Sequence, residues 1–202
     1  MIKAVIFDVG GVFFYTMDAQ FERVFTKYFR INHLNYKKTM ALLVPKIVKG
    51  EISEDVFWQE FRKITGTEIL LPEESLWVEP FKKYHKQKKG TWQILKELKE
   101  NGMNICVLSD TIKPHYKINL ESGFYNNFDE KVISCEVGLK KPDPEIYKLA
   151  LKKLRLRPRE VIFIDNQRKN IIASRKLGIK SFLFRTPGLL RKNLIGIGLL
   201  NK

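Results

Sequence analysis

The chain has 202 residues, with 37 basic and 22 acidic side chains for a formal net charge of +15, and 44% of it is hydrophobic. That composition can bury the core of one domain, or of one domain with a modest insertion, without a disulfide or metal staple. No apolar stretch of about eighteen residues occurs, which excludes a membrane-spanning helix, and the densest basic runs (Lys37-Lys38, and Lys82-Lys83 with Lys86, Lys88 and Lys89) lack the arginine and aromatic residues of a nucleic-acid binder, so no nucleic-acid partner is expected.

The opening MIKAVIFDVGG meets an aspartate directly after a short apolar run and has no small-residue cleavage site, so it does not read as a signal peptide. Residues 3–9 instead predict a parallel strand buried on both faces, because the apolar run is nearly continuous. Gly10-Gly11 then allow a sharp turn. From about 17 to 88 the spacing becomes helical. Phe21, Val24, Phe25 and Tyr28 fall at i, i+3, i+4 and i+7. Met40, Leu43 and Val44 begin a second stripe, which Pro45 is expected to kink or divide. Ser53 suits the N-cap of a third helix and Gly66 its end. The aromatic residues of this region predict a helical core.

After Gly90 strands and helices alternate. Strands are predicted at 104–109, 131–135, 161–165 and 180–184, and helices around 92–98, 114–123, 144–154 and 170–177. This rhythm argues an α/β fold, a doubly wound parallel sheet with helices on both faces, into which a helical cap is inserted after the first strand. The expected boundaries are 1–14 and 89–202 for the sheet domain and 15–88 for the cap. Cys106 and Cys135 have no CxxC or zinc spacing and are expected to be free buried thiols, which suits a reducing, cytoplasmic compartment.

In such sheets ligands bind beyond the carboxyl ends of the strands. Asp8, Ser109 and Asp165 fall at those ends, and Lys141 precedes the helix predicted at 144. A carboxylate held at a rigid strand end can act as nucleophile or metal ligand. Two converging carboxylates repel each other unless a cation or proton lies between them, and magnesium with oxygen ligands supplies one. Ser109 can donate to an anionic oxygen and Lys141 can neutralise it. Backbone N–H groups from Val9 to Gly11 can add an anion nest. Together these groups can hold a phosphoryl group against Asp8.

Four segments then carry a resemblance: Phe7-Asp8-Val9-Gly10-Gly11-Val12, Ser109-Asp110-Thr111, the run GLKKPDPEIY from Gly138 to Tyr147, and Phe163-Ile164-Asp165-Asn166 followed by Asn170. In this order they resemble the four motifs of the haloacid dehalogenase (HAD) superfamily, most of whose members are magnesium-dependent phosphohydrolases, and the inserted helices sit where that family places its small cap. The resemblance implies an aspartyl-phosphate on Asp8 and phosphoryl binding by Ser109, Asp110, Lys141 and the Gly10-Gly11 turn. It also implies magnesium (Mg2+) held by Asp8, the Gly10 carbonyl, Asp165 and Asn166, with Lys141 quietening the charge on Asp8.

Two positions depart from the family pattern. Gly10 stands where a second aspartate usually serves as general acid and base, and Asn166 stands where a second acid is common. A subset resembling small sugar-phosphate phosphatases shares the glycine and tends to carry a histidine beyond the second motif, where His115 lies. For His115 this implies substrate contact or proton transfer. The expected activity is hydrolysis of a small phosphorylated metabolite, sugar phosphates included. The alternatives are a 2-haloacid dehalogenase, which also lacks the second aspartate and needs no metal, and a degenerate non-catalytic binding module. Tyr15 and Phe13-Phe14, at the entrance to the insertion, are candidates for reading the substrate. Sequence alone does not separate monomer from dimer.

Overall fold

The computed structural model describes residues 1–201. In chain order the elements are β1 (Ala4–Phe7), α1 (Asp18–Phe29), α2 (His33–Val48), α3 (Glu54–Thr65), α4 (Val78–Tyr84), α5 (Lys89–Glu100), β2 (Asn104–Ser109), α6 (Lys113–Glu121), β3 (Glu130–Ile133), α7 (Ser134–Val137), α8 (Pro144–Leu154), β4 (Val161–Asp165), α9 (Arg168–Lys176), β5 (Lys180–Leu183) and α10 (Pro187–Ile195). The five strands form one sheet in the order β3-β2-β1-β4-β5, parallel throughout. Alternation along the strands divides their side chains between two cores. Val5, Phe7, Val107 and Ile164 pack with Leu98 of α5 and Leu194 of α10. Ile6, Leu108 and Phe163 pack on the other face with Tyr147 of α8 and Ile171 of α9. Both faces are covered, which is why these strands read as unbroken apolar runs.

The helices between β1 and α5 have a core of their own. Phe25 and Phe29 of α1, Phe57, Trp58 and Phe61 of α3 and Trp77 beside α4 are all buried, with ring centroids about 5 Å apart at Phe25–Trp58 (4.9 Å) and Phe29–Phe61 (4.9 Å). Ser53 caps α3 by accepting from the Val56 N–H at 3.3 Å, and Gly66 ends it at φ 69°.

The structure differs from the sequence reading at three elements. Pro45 does not divide α2, which runs unbroken from His33 to Val48. Proline removes one intrahelical donor, and buried Leu43 and Ile47 anchor the helix on either side of it. The third strand stops at Ile133, because the chain turns there into the short helix α7, taking Ser134 and Cys135 out of the sheet. Helix α10 was not anticipated: Pro187-Gly188 reads as a breaker pair, but Pro187 occupies the first helical turn, where no N–H is needed, and Thr186 caps it by accepting from Leu189 N–H at 3.2 Å. Cys106 and Cys135 are free and buried. Among the described residues no helix is long and apolar enough to cross a membrane.

Candidate active site

β1 lies between β2 and β4, so the chain's winding direction reverses at the β1–β4 pair, and the crevice beyond the carboxyl ends at such a point is the expected ligand position. Asp8 follows β1 there and Asp165 ends β4. Lys141 reaches both: its Nζ donates to Asp8 Oδ1 at 2.5 Å, to Asp165 Oδ2 at 3.0 Å and to the Leu108 carbonyl at 3.0 Å. All three side chains are buried. The sequence reading expected a metal to be what keeps these carboxylates together; in the structure the Lys141 ammonium already lies between them. Burial raises the Asp8 carboxyl above the usual carboxylate range, opposed by Lys141 and reinforced by Asp165. Burial alone would lower Lys141, but Asp165 and Asp8 outweigh it and hold the ammonium charged.

The surrounding residues fix this triple in place. Asp165 Oδ1 accepts from the Gln167 N–H at 2.6 Å, and Oδ2 also accepts from Asn170 Nδ2 at 2.9 Å. The Asp110 carboxylate accepts from the Lys141 N–H at 3.0 Å, which anchors the lysine's backbone. Ser134 Oγ bonds both the N–H and the carbonyl of Thr111, at 2.9 and 3.1 Å, and so braces the turn after β2. Lys88 Nζ donates to the Gly11 carbonyl at 2.7 Å. Neither Ser134 nor Lys88, which sequence placed only in a basic run, was read as a site residue. A serine inside the apolar run KVISC was the one available signal, since a buried hydroxyl needs a partner.

A cavity of about 650 Å³ opens over this end of the sheet and reaches under the inserted helices. Asp8, Gly10, Asp110, Lys141, His115 and Asn166 all line it. Asp165, Ser109 and Gly11 are buried but are not part of its wall. The two glycines differ. Gly11 has φ +81°, and an added Cβ would lie 2.2 Å from Asn166 Nδ2, so only glycine fits. At Gly10 a Cβ would meet nothing within 4 Å. The missing second aspartate is therefore not a steric exclusion.

The structure bears on three sequence expectations. In this arrangement all three Lys141 donors are committed to protein oxygens, so the lysine meets the cavity through its charge. The setting of His115 disfavours it as a proton donor. Its ring stacks on Phe81 at 4.0 Å and on Phe21 at 5.6 Å, burial pushes its imidazole down to about 3 against a hydrogen bond to the Trp77 backbone, and its Nε2 is buried without a partner. Phe13 and Phe14 are core residues, Phe13 packing on Phe7 and Trp92 and Phe14 stacking on His85 at 3.6 Å. Tyr15 does line the cavity and is exposed.

Among the described residues no three His, Cys, Asp or Glu side chains gather as a metal cluster. The donors at the strand ends are instead a mixed oxygen set of two carboxylates, the Gly10 carbonyl and the Asn166 amide. Asn166 Oδ1 is buried without a hydrogen-bond partner, a cost that a cation would relieve. Hard oxygen donors of this kind fit magnesium.

A doubly wound sheet whose first strand ends in a buried, lysine-paired aspartate, with helices inserted directly after it, defines a HAD-like architecture. Residues 2–178 match the family of haloacid dehalogenase-like hydrolases, and the chain belongs to that family. It is 34% identical over 156 residues to bifunctional epoxide hydrolase 2 of Sus scrofa, covering 70% of this chain but only 28% of that protein's length. It is 23% identical over 193 residues to D-ribitol-5-phosphate phosphatase of Bacteroides thetaiotaomicron, covering 90% of this chain and 91% of the relative. The fold also matches a HAD family enzyme of B. thetaiotaomicron solved with magnesium and inorganic phosphate, at a TM-score of 0.78 and 22% identity, over 92% of this chain and 96% of the other.

Proposed function

We propose that the chain is a magnesium-dependent phosphomonoester hydrolase of a small phosphorylated metabolite, acting through an aspartyl-phosphate on Asp8. The observation that carries this reading is the buried Asp8–Lys141–Asp165 triple, with Asp8 and Lys141 lining the cavity. An Asp8 oxygen attacks phosphorus in line with the ester oxygen, the P–O ester bond breaks with its electron pair going to the ester oxygen, and that oxygen takes a proton from solvent water as the alcohol departs. Water then attacks phosphorus, which releases inorganic phosphate and restores the Asp8 carboxylate. Lys141 holds Asp8 in position and offsets the charge of the transferred group. Asp110 holds Lys141, and Asn170 and the Gln167 N–H hold Asp165. Ser109 and the Gly10 N–H are the candidate phosphoryl donors, since the Gly11 N–H is spent on the Phe14 carbonyl at 2.8 Å. Asp8, the Gly10 carbonyl, Asp165 and Asn166 would hold magnesium, which when bound neutralises phosphoryl charge.

Residues 15–88 serve in this reading as a cap that excludes water and selects the substrate. The support is their share of the cavity wall, which includes Phe21, Tyr36, Met40 and Trp77. The relative named for D-ribitol 5-phosphate makes sugar phosphates the first class to screen. A phosphatase screen over many metabolites, with magnesium and then with chelator, tests the proposal. Metal-dependent phosphate release is expected. Halide release from 2-haloacids that survives chelation would replace it with the dehalogenase, and no turnover of any ester would favour a binding module.

A further inference from the structure

The cavity joins a charged floor to an apolar wall. Met40, Val44 and Ile47 of α2 form that wall with Phe21 and Trp77. Two of its ionic groups are already engaged with each other, since Glu22 accepts from His33 Nδ1 at 2.8 Å and pairs with Lys37 at 3.3 Å. The ring nitrogens Trp77 Nε1 and His115 Nε2 are buried in the packing, so ring carbon is what these residues present to the cavity. Tyr15, Thr16 and Asp18, which also line it, are exposed to solvent. Tyr36, Thr111 and Gln167 also line the cavity, but a polyol hydroxyl turned towards Met40, Val44, Ile47, Phe21 or Trp77 would give up water without a replacement partner, at about tenfold or more in affinity for each.

A second observation concerns the leaving group. Gly10 has no side chain, and His115 is held neutral by the rings around it. Neither can hand a proton to a departing alkoxide. Esters of phenols, whose oxygen leaves as a stable anion, need no such donor.

Resting on the phosphomonoesterase reading above, we propose that the substrate is a phosphate monoester with an apolar organic part, aryl esters foremost, rather than a sugar or polyol phosphate. The wall formed by α2, Phe21 and Trp77 takes the hydrocarbon body while Asp8 and Lys141 meet the phosphoryl group. The reaction balances as ordinary hydrolysis: the P–O ester bond breaks, water supplies the new oxygen on phosphorus, and its protons pass to the alcohol and to solvent.

The test compares kcat/KM for cyclohexylmethyl phosphate and glucose 6-phosphate. Both are primary alkyl esters of a six-membered ring, so leaving-group chemistry is nearly matched and the hydroxyls are the main difference. The apolar ester should be favoured by about 100-fold or more. Val44→Asn and Met40→Gln, at half-buried positions of the wall, should each shrink that ratio by about tenfold. Equal or faster turnover of glucose 6-phosphate, or an unchanged ratio in both folded variants, overturns the inference and leaves the phosphatase reading standing. No hydrolysis of these esters or of phenyl phosphate overturns both.

Discussion

The two sides of the cavity bury their side chains by opposite means. At the strand ends Asp8, Lys141 and Asp165 are charged groups taken out of water, tolerated because almost every donor and acceptor is used. Across the cavity the inserted helices bury aromatic rings, and two histidines are drawn into the same packing: His85 lies between Phe14 at 3.6 Å and Phe81 at 4.0 Å, and His115 stacks on the other neighbour, Phe81, at 4.0 Å. A low-dielectric setting thus produces opposite results. Where counter-charges are built in, the Lys141 ammonium persists; where none is, burial expels the proton and leaves a neutral ring. In the proposed reading, reactivity belongs to the first side and selectivity to the second.

The most severe break of this contrast is at the nucleophile. Asp8→Asn keeps the shape but removes the attacking oxygen anion, and phosphate release should fall by on the order of 10⁴-fold or more in a protein with an unchanged circular dichroism spectrum. Chelation should likewise abolish turnover and added magnesium restore it.

Lys141→Met comes next. Removing the ammonium leaves two buried carboxylates facing each other without compensation, which should cost about 3–5 kcal/mol in urea unfolding as well as activity. A stability loss below about 1 kcal/mol would mean that water or ions reach the pair and that its burial is overstated.

A smaller effect sharpens the comparison within the turn after β1. Gly11→Ala should destabilise by about 1–3 kcal/mol, from its positive φ and the contact with Asn166, whereas Gly10→Ala should stay within about 0.5 kcal/mol. Gly10→Asp then has room for a side chain, and if the missing acid limits alkyl esters it should speed them by roughly 10- to 100-fold more than aryl esters.

The smallest effect belongs to the ring stack. His115 is pushed down to about 3 and His85 to about 4, each first by burial. Between those values and the unfolded value of 6.5 the unfolded chain binds more protons than the folded one. Stability is therefore fully present above about pH 6.5 and falls as the pH drops towards 4, with a slope of at most about 1.4 kcal/mol per pH unit for each histidine. His115→Phe should flatten part of that slope between pH 6.5 and 4 and leave the neutral-pH midpoint nearly unchanged. An unaltered slope would show that His115 takes up its proton in the folded state.

The sheet was legible because its strands are buried on both faces, so that AVIF, VIFID and NICVLS after its exposed Asn104 are nearly continuous apolar runs that lead to the polar residues that matter. The helical insertion was legible from the spacing of Phe21, Val24, Phe25 and Tyr28. What sequence could not display are pairings that exist only across the fold. Nothing in GLKKPDPEIY says that Lys141, rather than Lys140, crosses to Asp8 and Asp165, or that Asp110 is spent on the lysine's own N–H. His115 was misread for a related reason: its motif position is visible in sequence, but its protonation is set by Phe81 and Trp77, from a helix and a loop far away in the chain. The end of β3 was misplaced because Ser134 and Cys135 continue an apolar run while the backbone turns into a helix.

The central claim is that Asp8 itself carries the phosphoryl group. Rapid mixing of the magnesium-loaded protein with an aryl phosphate, acid quenching within the first turnover and mass spectrometry of the peptides should find one added phosphoryl group on the peptide containing Asp8. The adduct should be absent from Asp8→Asn. A phosphoryl group on any other residue, or phosphate released at a near-native rate by folded Asp8→Asn, would contradict the account.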